Sequence, residues 1–184
     1  TWTDGRFDQA LSFDGVNDFV NAGSAASLNN LPAITVSGWI FPQSALTGTE
    51  DLVGKLTATG ASGWVLDLNG SGNGRLRFKV NFATTNLSRT SASNSIIANV
   101  WQHVAATWDG STTGTNIKIY INGKEVTWTS TDGVGARNND SANPLTIGAE
   151  SDGGARFKGL IDEVRVYNRV LSATEITNLY NQGI

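Results

Sequence analysis

Three oxygen-bearing side chains fall within five residues in "DGVND" (14–18): Asp14, Asn17 and Asp18. Calcium takes six to eight oxygens from carboxylates, amides and carbonyls. Gly15 lets the backbone fold so that carbonyls can turn toward one point. The segment is not an EF-hand, because Val16 takes the third loop position and no glutamate closes the loop. The remaining oxygens must come from a distant strand. Asp162, set among Ile161, Val164 and Val166 in "GLIDEVRVYN", needs a partner if it is buried. The competing reading is a turn capped by Asp14 and Asp18, with Asp162 exposed or bonded to backbone N–H groups.

Catalytic groups are sparse. Glycoside hydrolysis uses two carboxylates across a cleft. Glu150 and Asp152 in "AESDGG" have the spacing, but they run into glycines and read as a polar loop. The single histidine, His103, lies in "WQHVAATW", where it alternates with Ala105 and Thr107 against Val104, Ala106 and Trp108. A general base needs a partner within hydrogen-bond reach, and no G-x-S-x-G nucleophile motif accompanies it. No catalytic residue is assigned.

A sugar site needs exposed aromatic rings beside amide, carboxylate or guanidinium groups. Trp64 and Trp128 are the aromatic candidates. In "RLRFKVNF" (75–82), Arg77, Lys79 and Asn81 share one strand face, and Asp67 and Asn69 come from the preceding strand. Tyr120, alternating with Lys118 and Asn122, is added to that face. The alternative is a solvated sheet face without a ligand.

The elements that must position these groups are strands. The chain has 184 residues, room for one domain with a core. Charged residues are only 16%, and Gly, Ser, Thr and Asn fill the rest, as in short strands joined by turns. A formal net charge of −3 argues against general nucleic-acid binding. The absence of cysteine removes disulfides, thiolate catalysis and Cys-based zinc sites. No apolar run approaches a membrane span. Alternating segments predict strands over 35–42, 63–70, 75–82 and 101–108, and a hairpin over 116–128 turning at Asn122-Gly123. "PLTIGAE" and "GLIDEVRVYN" are further strands. The capping box Ser172/Glu175 opens a short helix with Ile176, Leu179 and Tyr180 on one face and Gly183 as its stop. The expected fold is all-β: a two-sheet antiparallel sandwich with a short C-terminal helix.

Taken in order, "LSFDGVNDFV", "ITVSGWIFP", "WQHVAATWDG", "IKIYINGKEV", "LTIGAE" and "FKGLIDEVRVYNRVLSATEI" resemble the laminin-G-like, concanavalin A-like jelly-roll domains of bacterial extracellular proteins. The resemblance spans nearly the whole chain and implies a single jelly-roll domain over 1–184. The chain begins at Thr1 without Met or signal peptide and reads as a piece of a larger protein, and the family's usual first strand has no counterpart. The resemblance also implies a structural calcium held by Asp14, Asn17, Asp18 and Asp162. It places Trp39, Trp101 and Trp108 in strand motifs of the core and makes His103 structural. The expected function is a non-catalytic carbohydrate-binding module of a secreted or cell-surface protein, binding a polysaccharide as a monomer. The alternatives are an adhesion module with a protein partner and a cryptic glycan-active enzyme.

Overall fold

A computed structural model describes residues 1–44, 46, 48–57, 61–69, 73–126 and 128–182. Two seven-stranded antiparallel sheets face each other. The first runs, in spatial order, β1 (Trp2–Asp4), β2 (Gln9–Asp14), β14 (Lys158–Tyr167), β4 (Ile34–Pro42), β9 (Gln102–Trp108), β10 (Lys118–Ile121) and β11 (Lys124–Val126). The second runs β12 (Thr129–Thr131), β8 (Leu87–Thr90), β7 (Arg75–Val80), β6 (Gly63–Asn69), β5 (Glu50–Leu56), β13 (Thr146–Ile147) and β3 (Val20–Asn21). This is the two-sheet antiparallel sandwich that the strand pattern predicts and the jelly roll that the resemblance implies.

Period-two alternation fills the core. Ile34, Val36 and Ile40 of β4 and Val104, Ala106 and Trp108 of β9 face Trp64, Leu66 and Leu68 of β6 and Leu76, Phe78 and Val80 of β7, all buried in one cluster. The hairpin turns at Asn122-Gly123, both at positive φ (51° and 75°), which matches the right-handed twist of the flanking strands. Strands β1, β5, β8 and β12 were not expected from the sequence. They are short, or, like β5, buried along their whole length with no alternation to read.

β14 breaks its own alternation. Ile161 belongs to the core, and Val164 and Val166, partly buried and of the opposite parity, pack against it. A bulge supplies the change of phase: Asp162 faces Trp39 and Arg165 faces Ser37, so three steps on β14 match two on β4, with Glu163 at φ 51°.

The helix α1 (Ala173–Asn181) lies on the outer face of the first sheet. The Ser172 side chain accepts from the Glu175 N–H, and the Glu175 carboxylate accepts from the Ser172 N–H, at 3.3 and 2.8 Å. Ile176 is buried against Ala105, Tyr120 and Leu171, and Tyr180 stacks on Trp39 at 5.6 Å. The expected stop, Gly183, lies outside the described residues. Removing the cap by Ser172→Ala should cost about 1 kcal/mol. That corresponds to a fall of about 2–4 °C in calorimetric Tm for a chain of this size.

Candidate functional site

The outer face of the second sheet collects polar groups in one row. Cross-strand register aligns Asp51 with Asp67, Asp67 with Arg77, Arg77 with Thr90, and Thr90 with Thr129. Five strands therefore present one line of side chains. Lys79 lies in the next row, between Val65 and Ser88. At the row's end is Trp128, next to Thr129 and 63% exposed. Neighbouring strands are about 4.8 Å apart, so its backbone lies roughly 10 Å from that of Arg77.

Asp67 and Arg77 form a two-point pair: Nε donates to Oδ1 at 3.0 Å and Nη2 to Oδ2 at 2.5 Å. Fork-to-fork geometry of this kind is the strong form of the ion pair. The Asp67 side chain is buried and that of Arg77 is 22% exposed, so the guanidinium is fixed from below and open above. Burial raises the Asp67 carboxyl, opposed by the Arg77 hydrogen bond. Burial also works against the charge of Arg77, but the hydrogen bond and charge of Asp67 outweigh it and hold the guanidinium protonated.

Asp51 is buried beside this pair. Its carboxyl is pushed well above the usual range, first by burial and then by the charges of Asp67 and Glu150, with Lys79 and Arg77 opposing. Glu150 is raised as well, by burial and by Asp152. A carboxyl whose folded pKa exceeds its unfolded value favours the folded state only while protonated, so stability declines as pH rises from 3.8 through the raised value. Asp51→Asn removes that loss. The variant should melt higher than the parent at neutral pH, and the gain should vanish as pH falls toward 3.8. A melting series against pH, variant beside parent, measures it.

Several expected site residues lie elsewhere. Trp64 is fully buried in the core beside Phe78, because alternation puts it inward with Leu66 and Leu68 while Asp67 points outward. Tyr120 is on the other sheet, beneath α1. Asn81 keeps the parity of Arg77 and Lys79 but lies past the end of β7. It is buried there, its backbone bonded to Gly63 and Asn138. Asn69 closes β6 opposite Arg75 and is half-buried. Of the remaining indoles, Trp108 is core, Trp39 is buried under α1, Trp101 packs half-buried on Phe41, and Trp2 is exposed. Asp51 was missed because "EDLVGKL" carries a bulge between Asp51 and Val53 and shows no alternation. Only the register with β6 brings it to the row.

The four residues expected to hold calcium do not gather. Asp14 faces Lys158 and Leu11 faces Ile161, so Asp162 is four strand residues, about 13 Å, from the position opposite Asp14. Several of their oxygens also accept backbone N–H groups. Asp14 Oδ1 accepts from the N–H groups of Val16 and Asn17 at 2.7 and 3.2 Å, which holds its carboxyl below the usual range. Asp18 Oδ2 accepts from the Asp14 N–H. The Asp162 oxygens accept from the N–H groups of Phe7 and Glu163 at 2.9 and 2.8 Å. Among the described residues, no three acidic or histidine side chains stand where one metal ion could join them. These residues do not fit one calcium ion. Asp162 instead ties the turn before β2 to the last strand directly. Gly5 is required at that turn, since a Cβ there would lie 2.7 Å from the Asp162 carboxylate.

Comparison with solved structures returns the same sandwich. The binding domain of Paraclostridial Mosquitocidal Protein 1 superposes with TM-score 0.74 at 20% identity, covering 99% of this chain and 45% of that one. The CBM40 of Ruminococcus gnavus IT-sialidase, bound to α2,3 sialyllactose, gives 0.66 at 14%, covering 93% and 97%. In sequence, the chain is 28% identical over 183 residues to adhesion G-protein coupled receptor V1 of Danio rerio, covering 94% of this chain and 3% of the receptor. No helix among the described residues is long and apolar enough to cross a membrane. Residues 14–177 match the family profile described as Concanavalin A-like lectin/glucanases superfamily, and with that match, the strand order and the two-sheet sandwich in agreement, the chain belongs to this superfamily.

Proposed function

We propose that the chain is a non-catalytic carbohydrate-binding module acting outside the cell, with the row Asp51–Asp67–Arg77–Thr90 as its oligosaccharide site. The row itself carries this reading. Sugar hydroxyls are bound by planar groups held in fixed positions, and the buried Asp67 carboxylate fixes the Arg77 guanidinium at the surface. Lys79 widens the donor set, and Trp128 offers an exposed ring for a sugar face. Two of the similar folds are described as binding modules, one of them bound to a sialylated sugar, which supports the reading at the level of fold. A glycan array followed by titration calorimetry tests it, and silence across the array refutes it. Sugar cleavage that Glu150→Gln abolishes would make the acidic cluster catalytic instead.

Two observations favour a second reading. The similarity to an adhesion receptor covers 94% of the chain, and β1 is an exposed edge strand with Trp2 65% exposed. Unpaired edges accept strands from other proteins. This reading expects a protein partner and indifference to sugars.

A further inference from the structure

A cavity of about 170 Å³ opens on the other sheet, between its outer face, the turn before β2 and the end of α1. Its floor is Ser37, Trp39 and His103 from β4 and β9. His103 is 2% exposed, and its Nδ1 is buried with no hydrogen-bond partner. Ser37, two residues before Trp39 on the same face of β4, is equally buried. A buried polar atom without a partner costs about 1–3 kcal/mol, and native proteins retain one where a water, an ion or a ligand completes it.

The rim comes from the β14 bulge. The phase change carries Glu163 and Arg165 outward to the cavity mouth, where Arg165 donates to the Glu163 carboxylate and, at 3.2 Å, to Gln182 Oε1 of the helix end. Positive and negative charge cancel there. Burial, with the charge of Arg165 adding to it, holds the His103 imidazole neutral, its pKa lowered to about 4. Arg6 lies over the Trp39 ring at 4.8 Å, and Tyr180 stacks on the same indole at 5.6 Å. Trp39 is therefore a covered part of the floor rather than a stacking platform, and Phe7 and Leu179 supply the free apolar surface.

We propose that this cavity is a second ligand site, taking one uncharged, hydroxyl-bearing ring, a neutral monosaccharide unit, with Ser37 and His103 bonded to its hydroxyls and Phe7 and Leu179 against its apolar edge. The volume supports one ring: a protein cavity of about 150 Å³ takes one six-membered ring the size of benzene. The balanced charge disfavours an ion. Donors and acceptors occur together at both floor and rim, as adjacent hydroxyls require. The site is independent of the charged row, which is on the opposite sheet.

His103 is the sole histidine, so its ring nitrogens are a single reporter. Their ¹⁵N signals are followed in the whole chain while a panel of neutral monosaccharides is added, with a hexuronate as the charged control. The expected result is a saturable change with at least one neutral sugar, weakened about fivefold by Ser37→Ala through the lost hydrogen bond. It should be abolished by Leu179→Trp, which fills the cavity from the helix, and kept in Arg77→Met. Response to the free sugar alone identifies a free-sugar site; response also to the same unit at an oligosaccharide end identifies an end-binding site. No response to any neutral sugar overturns the proposal. So does a response that survives Leu179→Trp, or one that disappears in Arg77→Met, since the change would then originate on the other sheet.

Discussion

Asp140→Ala is expected to lower the melting temperature by roughly 6–20 °C, because breaking a buried charge network costs about 3–5 kcal/mol and a chain of this size loses about 2–4 °C per kcal/mol. The Asp140 and Lys55 side chains are both fully buried, 3.9 Å apart. Asp140 accepts from the Asn30 N–H at 2.7 Å and from Arg137 Nη2 at 2.8 Å. Lys55 Nζ donates to the carbonyls of Asp140 and Asn143 at 2.6 and 2.5 Å. Burial lowers the Lys55 pKa, and Asp140 is the charge that opposes the loss of its proton. Arg137 in turn lies over Trp108 at 4.8 Å and donates to the Leu31 carbonyl. The aspartate thus joins β5, the segment before β4 and the loop 137–143 at one point. Removing it leaves the buried Lys55 ammonium with carbonyl partners but no counter-charge, and takes the carboxylate from Arg137. Asp140→Asn keeps the shape and loses the charge, so it should fall between parent and alanine variant in calorimetry. An unchanged melt in Asp140→Ala would refute the network.

Arg77→Met is expected to weaken oligosaccharide binding at least tenfold in titration calorimetry, about 1.4 kcal/mol. Two losses combine. The guanidinium no longer meets the sugar, and the buried Asp67 carboxylate loses both of its hydrogen bonds from Arg77. Truncating one partner of a buried hydrogen-bonded charge pair costs about 2–5 kcal/mol, part of which is the penalty on the charge left behind. Arg77→Lys distinguishes the two. It restores a positive charge without the fork, so it should recover stability better than affinity. Equal affinity for parent and Arg77→Met would place the oligosaccharide site elsewhere.

Much of the architecture was written in local pattern. Asn122-Gly123, Ser172 with Glu175, and the alternation of β4, β7 and β9 each follow from φ preference, capping or period two, and each is where the pattern puts it. Even the β14 bulge left a trace, since Ile161 and Val164 cannot share a face of a regular strand. For one of the corrected site residues parity already contained the answer: Trp64 and Asp67 are three apart, so no regular strand presents both on one face.

The sequence by itself determined the fold class, the strand faces and the helix, because those depend on interactions among near neighbours in the chain. Only the tertiary structure decided which faces meet. Asp51, Asp67, Arg77 and Thr90 come from four strands, and their alignment rests on backbone register across the sheet. Tyr120 and Arg77 look alike in pattern but lie on different sheets. Asp14 and Asp162 look complementary but stand about 13 Å apart along paired strands, and each carboxylate accepts backbone N–H groups. Alternation says which side of its strand a residue faces, and hydrogen-bonded register between distant segments sets what stands beside it.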